Sequence, residues 1–202
     1  LFAETPTNPL TDICDIAALA EVAHSWGALL AVDNCFCSPA LQRPTEYGAD
    51  FVIHSGTKYL DGQGRVMAGA LCASQQMVTE KFLPVLKSAG MTLAPFNAWV
   101  LLKGMETLAI RVKAQSASTL AVAQWLEAQP QVARVFYPGL PSHAQHELAM
   151  KQMDAAGPIF SFVVDGGREA AFAVRPNVKI IEGRTFQPGL REILVGKRSE
   201  EH

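Results

Sequence analysis

An α/β layer structure built on a largely parallel sheet is the fold class this sequence predicts, and three observations predict it. Ile13, Ile16, Ala17, Ala20 and Ala23 recur at helical spacing. Ala28–Val32 follows as a continuous apolar run, the pattern of a parallel strand covered on both faces. A second short strand, Phe51–His54, comes after a polar loop that contains Pro39 and Pro44. Helix, strand, loop and strand in that order are the mark of layered α/β architecture.

Each element has its own signals. Thr11 or Asp12 is available as N-cap of the first helix and Gly27 as its stop. Gly48-Ala49-Asp50 leads into Phe51–His54, and a glycine-rich turn, Asp61-Gly62-Gln63-Gly64, precedes a third strand at Ala68–Ala73. From Phe96 to Ala128 the pattern predicts one long helix carrying Trp99, Leu102, Leu108, Leu120 and Trp125. Gly104 within it marks a kink or a close contact, because glycine weakens a helix interior. Val132–Tyr137 then reads as a strand, Ser142–Met153 as a helix and Ile159–Val164 as a strand. Gly166-Gly167 reads as a turn and Arg168–Val174 as a short helix. This second alternation predicts a smaller α/β domain over 117–202, after a larger one over 1–116.

Composition narrows the function. With 202 residues, 49% of them hydrophobic, the chain can bury one large core or two modest ones. A formal net charge of −2, with no basic cluster longer than a pair, argues against nucleic-acid and acidic-membrane partners and for small-molecule chemistry. No apolar run is long enough to span a bilayer. The four cysteines are too few and too dispersed for a disulfide framework, which fits a reducing cytoplasm. Cys35-Phe36-Cys37 lacks the further His or Cys pair that a zinc site needs. The chain opens at Leu1 in mid-motif and is read as a piece of a longer protein.

The chemistry-bearing residues cluster at strand ends. Asp33 ends the first apolar strand, and Ser55 follows the second within His54-Ser55-Gly56-Thr57-Lys58-Tyr59. In α/β sheets ligands gather beyond the carboxyl ends of the strands, so both residues fall on one rim. A lysine can condense with a carbonyl through its neutral amine, and a carboxylate can keep a pyridine nitrogen protonated. Hydroxyls at Ser55 and Thr57 can donate to a phosphate. One cofactor, pyridoxal 5′-phosphate, needs all of these groups. Asn8 is either a turn residue or a donor to the cofactor's phenolic oxygen. Asp33 also suits a simple turn cap, since aspartate ending a strand often serves so. His54 reads as a packed strand-end residue, and His24, His143 and His146 as helix-surface residues. Asp61 and Arg65 lie in the glycine-rich turn without an assigned role.

Taken in order, Glu4-Thr5-Pro6-Thr7-Asn8-Pro9, Asp33-Asn34, Ser38-Pro39, Leu41-Gln42, Pro44, Gly48-Ala49-Asp50 and His54 to Tyr59 resemble the Cys/Met-metabolism family of pyridoxal-phosphate enzymes. The resemblance implies the aspartate-aminotransferase-like fold, fold type I. It also implies that Lys58 carries the cofactor, Asp33 pairs with its ring nitrogen, Ser55 and Thr57 bind its phosphate, and Asn8 lies by its ring oxygen. Leu60 to Val66, Thr92 to Trp99 and Tyr137 to His143 are most similar to the members that act on O-succinylhomoserine with sulfide, a γ-replacement in methionine biosynthesis. Cystathionine γ-synthase and γ-lyase chemistry, or a catalytically incomplete folding module, are the alternatives. The family also implies a cytoplasmic homotetramer. The resemblance runs to about Val174; Arg191 is only faintly similar to the family's substrate-carboxylate arginine, and no residue here is given that role. Because the family's upstream phosphate loop lies outside these residues, the chain alone is expected to bind the cofactor weakly and to be inactive.

Overall fold

Strand β1 (Phe2–Glu4) opens the chain and leads through an irregular loop to α1 (Ile16–Ser25) in the computed structural model, which describes residues 1–166. The expected turn at Gly166-Gly167, the short helix at 168–174 and Arg191 lie wholly or partly outside those residues. Helix α1 starts later than the sequence predicts. Its N-cap is Asp15, whose Oδ1 accepts the Ala18 N–H at 3.0 Å, so neither Thr11 nor Asp12 caps it. Thr11 instead has positive φ and lies buried, because its backbone closes a turn onto the Thr7 carbonyl.

Strand β2 (Ala31–Asp33) is next, then the single turn α2 (Ser38–Leu41), a 3-10 turn at Pro44–Tyr47, and β3 (Phe51–Ser55). A π-helical turn, Gly56–Leu60, carries Lys58 and is followed by β4 (Gly69–Ala73). The sheet order is β1-β2-β3-β4; the first three strands are parallel and β4 is antiparallel to β3. Phe2–Glu4 was not read as a strand, and its pairing with Ala31–Asp33 makes it part of the sheet. Ile16, Ala20 and Ala23 of α1 bury one sheet face against Leu30, Val32 and Ala49. Fully burying a side chain such as Ile16 or Leu30 contributes about 1.5–3 kcal/mol.

Two short helices, α3 (Gln75–Met77) and α4 (Leu83–Ala89), flank a π-helical turn at Val78–Phe82, a helical stretch that the sequence reading did not anticipate. The expected single helix over Phe96–Ala128 is two helices, α5 (Pro95–Met105) and α6 (Leu108–Glu127). The break at Glu106-Thr107 has a physical cause: the Gly104 carbonyl accepts from Arg111 Nη2 at 2.8 Å and from the Thr107 hydroxyl at 3.4 Å. Those donors satisfy a carbonyl that continued helix would otherwise have to pair.

β5 (Val132–Phe136), α7 (His146–Gln152) and β6 (Ser161–Val164) complete the described chain, and β5 pairs with β6. Helices α2, α6 and α7 meet in a core of Leu41, Leu108, Val112, Ala149 and Met153, with Ile13 and Cys37. His143, expected on a helix surface, is buried before α7, where its Nδ1 accepts the Gln145 N–H at 3.2 Å. Residues Leu1–Val163 form one compact unit.

Candidate active site

The carboxyl ends of β1, β2 and β3 lie side by side. Glu4 is in register with Asp33, and Asp33 with Ile53. Because side chains alternate along a strand, and Ala3 and Val32 pack toward α1, Glu4 and Asp33 project to the opposite face. Lys58 follows β3 by three residues, at a point where the turn leaves helical geometry (φ −90°, ψ −113°). Its Nζ lies 4.4 Å from the centroid of the buried Phe36 ring, a cation–π distance.

Cys35 joins these groups. Asp33 Oδ1 accepts the Cys35 backbone N–H at 3.0 Å, and the Cys35 Sγ accepts the Ser55 backbone N–H at 2.9 Å. Burial pushes the Cys35 thiol up to about 11, and the hydrogen bond and charge of Asp33 push the same way; the Ser55 N–H and Lys58 oppose them. Glu4 is also raised, by burial first and then by Asp33, with Lys58 again opposing. Asp33 and Lys58 thus both act on the same two neighbours.

Asp33 serves as the turn cap that its position suggested, yet the cap uses only one carboxylate oxygen. Oδ2 has no hydrogen-bond partner among the described residues and remains free to face a cation. Ser55 is half-buried at the rim. Thr57 is turned away: its hydroxyl accepts the Ala68 N–H at 3.1 Å and donates to the Ala68 carbonyl at 3.4 Å, closing the loop before β4. Asn8 is exposed in a loop held by Thr7, whose N–H donates to the Asp12 carbonyl and whose hydroxyl accepts the Asp12 N–H, each at 3.0 Å. Asp33 and Ser55 are linked through Cys35, and Lys58 lies beside Phe36; Lys58, Thr57 and Asn8 make no hydrogen bond to Asp33 or Ser55 among the described residues.

The lysine turn is fixed from below. Arg111, on α6, donates through Nη2 to the carbonyls of Tyr59 at 3.0 Å and Leu60 at 3.4 Å. Gly104 of α5 must be glycine here, because a Cβ would sit 2.6 Å from the Asp61 carbonyl. Asp61, fully buried, accepts from Arg65 Nε and Nη2 at 2.8 and 2.6 Å and from the Arg65 and Gln63 backbone N–H groups. Burial alone would raise the Asp61 carboxyl, but those hydrogen bonds outweigh it and hold it below its ordinary value. Asp61 and Arg65 therefore brace the turn. His54 is buried as expected, and its Nδ1 has no partner among the described residues. Burial lowers its pKa, against the Asn34 backbone and Asp33.

Glu4, Cys35, Phe36 and Arg111 received no role from sequence. A strand assignment for Phe2–Glu4 would have found Glu4 through register alone. Nothing local marks Arg111, which acts across 52 residues.

Chemically the rim offers a primary amine, a carboxylate with a free oxygen, and a nearby hydroxyl. This donor set fits an aldehyde-bearing, phosphorylated pyridine: the amine suits the aldehyde, Asp33 Oδ2 the ring nitrogen and Ser55 the phosphate.

Comparison with known proteins agrees. The chain is 60% identical over 171 residues to the O-succinylhomoserine sulfhydrylase of Pseudomonas aeruginosa, covering 85% of this chain and 42% of that protein. It is 42% identical over 186 residues to the enzyme of that name from Mycobacterium tuberculosis, covering 90% and 46%. Cystathionine gamma synthase from Xanthomonas oryzae pv. oryzae, solved with aminoacrylate and cysteine, superposes with a TM-score of 0.83 at 39% identity, over 85% of this chain and 44% of that one. A methionine gamma lyase from Micromonospora echinospora gives a TM-score of 0.79 at 38% identity, over 82% and 46%. These likenesses establish the type I fold expected from the motifs. The chain spans about half the length of the curated relatives it matches. The profile of Cys/Met metabolism PLP-dependent enzymes matches residues 1–186, past the Val174 limit of the recognisable motifs. With the fold, the rim and these likenesses in agreement, the chain belongs to the Cys/Met metabolism family of pyridoxal-phosphate-dependent enzymes.

Proposed function

We propose that the whole protein catalyses a γ-replacement in which sulfide displaces succinate from O-succinylhomoserine, giving homocysteine for methionine biosynthesis. The observation that supports this reading is the rim itself, where Cys35 links Asp33 to Ser55 by hydrogen bonds and Lys58 Nζ lies 4.4 Å from the ring of the adjacent Phe36. The choice of reaction is supported by the 60% identity to a relative named for it.

Pyridoxal phosphate, when bound, supplies the electron sink for carbanion chemistry. The chain's own residues do the rest. Lys58 would hold the cofactor through Nζ, and its free amine would move protons to and from the substrate carbons as general base and acid. Asp33 keeps one oxygen on the Cys35 N–H and offers Oδ2 to the ring nitrogen. Ser55 donates to the phosphate, and Thr57 joins it by releasing Ala68. Asn8 donates to the ring oxygen. The large domain of the whole protein ends near residue 116, and four copies assemble in the cytoplasm.

Borohydride reduction of the whole protein with pyridoxal phosphate should leave a covalent adduct at Lys58, found by peptide mass mapping and absent in Lys58→Ala. Reduction elsewhere, with Lys58 unmodified, refutes the assignment. Asp33→Ala should lower turnover of the whole protein by about a hundredfold or more, as loss of transition-state electrostatics commonly does. Cystathionine γ-synthase activity is the second reading, favoured by the superposition on the Xanthomonas oryzae structure. Supplying sulfide or cysteine separates the two: homocysteine supports the sulfhydrylase, and cystathionine with no homocysteine supports the synthase.

A further inference from the structure

A buried layer of side-chain amides lies behind the rim. Gln42, Asn34 and Gln152 are 1%, 0% and 5% exposed. Gln42 is the hub. Its Nε2 donates to the Thr5 carbonyl and to Asn34 Oδ1, both at 2.9 Å. Its Oε1 accepts from Gln152 Nε2 at 3.3 Å, and its backbone carbonyl accepts from Asn34 Nδ2 at 2.7 Å. Both amide protons and the amide oxygen are thus used, the full complement of interactions that burial demands of such a group.

The partners explain what the hub does. Asn34 is joined by a peptide bond to Asp33, and its own N–H donates to the Ile53 carbonyl of β3 at 2.9 Å. Thr5 begins the loop that carries Asn8, and its hydroxyl accepts the Cys14 N–H near the loop's far end at 3.1 Å. Gln152 closes the circuit by donating to the Cys14 carbonyl at 3.0 Å. The loop of 5–14 is therefore gripped at both ends by one network, and that network also holds the residue next to Asp33.

We propose that Gln42 is a positioning residue, whose amide holds the Asn8 loop and Asp33 in fixed relation; its bearing on the cofactor rests on the function proposed above. Only a planar group with two N–H donors and one acceptor meets these three partners. Glutamate would turn a carboxylate oxygen onto two acceptor oxygens. Methionine would fill the volume but leave the Thr5 carbonyl and Asn34 Oδ1 buried without donors.

Residue-resolved hydrogen exchange on the cofactor-free chain tests this. In Gln42→Met the amides of Thr5, Thr7, Asp12, Cys14 and Asn34 should exchange about tenfold faster or more, while those inside α1 and between β3 and β4 keep their rates. Unchanged loop amides, or equal acceleration along the whole chain, would overturn the proposal. Should Gln42→Met fail to fold, Gln152→Met removes the donors to the Cys14 carbonyl and to Gln42 Oε1 and leaves the Thr5 and Asn34 contacts in place. It should accelerate Asp12 and Cys14 alone, and no local change there is equally fatal. The yield of borohydride-trapped adduct at Lys58 should also drop about tenfold in Gln42→Met; an undiminished yield with a loosened loop overturns the positioning role. If the wild-type whole protein forms no adduct at Lys58, the proposed function falls, and the exchange pattern still decides the case for Gln42.

Discussion

Cys35 and Cys72 are the same residue type in opposite chemical circumstances. Cys72 is exposed on β4, whereas burial pushes the thiols of Cys35 and Cys37 up to about 11 and 12. Since the thiolate is the reactive form, a disulfide reagent at pH 8 should label Cys72 first and Cys14 next. Cys35 and Cys37 should react only on unfolding, as counted by peptide mass mapping. Gly62 offers a sharper test. It has φ +73°, and a Cβ there would lie 1.9 Å from Arg111 Nη1. Gly62→Ala should therefore destabilise the chain by about 1–3 kcal/mol in denaturant titration, through backbone strain and displacement of the Arg111 clasp. Protonation supplies a third. His54 and His143 both have lowered pKa values because burial disfavours the imidazolium. The unfolded chain then binds more protons below its ordinary histidine value of 6.5, so stability is full above that pH and declines as pH falls through the window beneath it. His54→Gln should flatten part of that decline in thermal melts between pH 7 and 5, and an unaltered slope would refute it.

At the scale of elements, what could be read from sequence was what leaves a local trace. Val32 and Val52 announced buried strands, and the rim rule then put Asp33 and Ser55 at neighbouring strand ends, as found. Phe2–Glu4 escaped because three residues are too short to show a period, and its place is fixed by pairing with β2. The helical stretch from Gln75 to Ala89 does carry a local signal, since Val78, Phe82, Val85 and Leu86 recur at helical spacing, although none of its residues is buried. The break between α5 and α6 follows Gly104, where the sequence predicts a kink or a close contact; what only three dimensions show is that Arg111 and Thr107 take the Gly104 carbonyl. The candidate site divides the same way. Lys58 and Asp33 could be named from chemistry and spacing. Cys35 has no role in the sequence once a zinc site is set aside, whereas in the structure its thiol accepts the Ser55 N–H and so links the ends of two strands.

Across the whole molecule, apolar surface remains open. Trp26, Met67, Ile110 and Phe96 are 85%, 84%, 74% and 68% exposed. Strand β1 ends the sheet, and among the described residues nothing pairs with its outer edge. Unpaired edges and apolar patches promote association, and a net charge of only −2 does little to oppose it. The chain should bind an apolar fluorescent dye and show a mass above that of a monomer by light scattering at micromolar concentration. A dye-silent monomer would count against this account of its surface.

The clasp between Gln145 and Ile13, and that between Gln152 and Cys14, have a consequence for biosynthesis. They join groups 132 and 138 positions apart. A chain emerging from the ribosome at roughly 5–20 residues per second exposes its first strand and loop many seconds before the closing helix arrives. Throughout that interval the loop of 5–14 is gripped only at Thr5, by Gln42, and its far end gains the Gln145 and Gln152 contacts only when nearly the last piece of the compact unit has been translated.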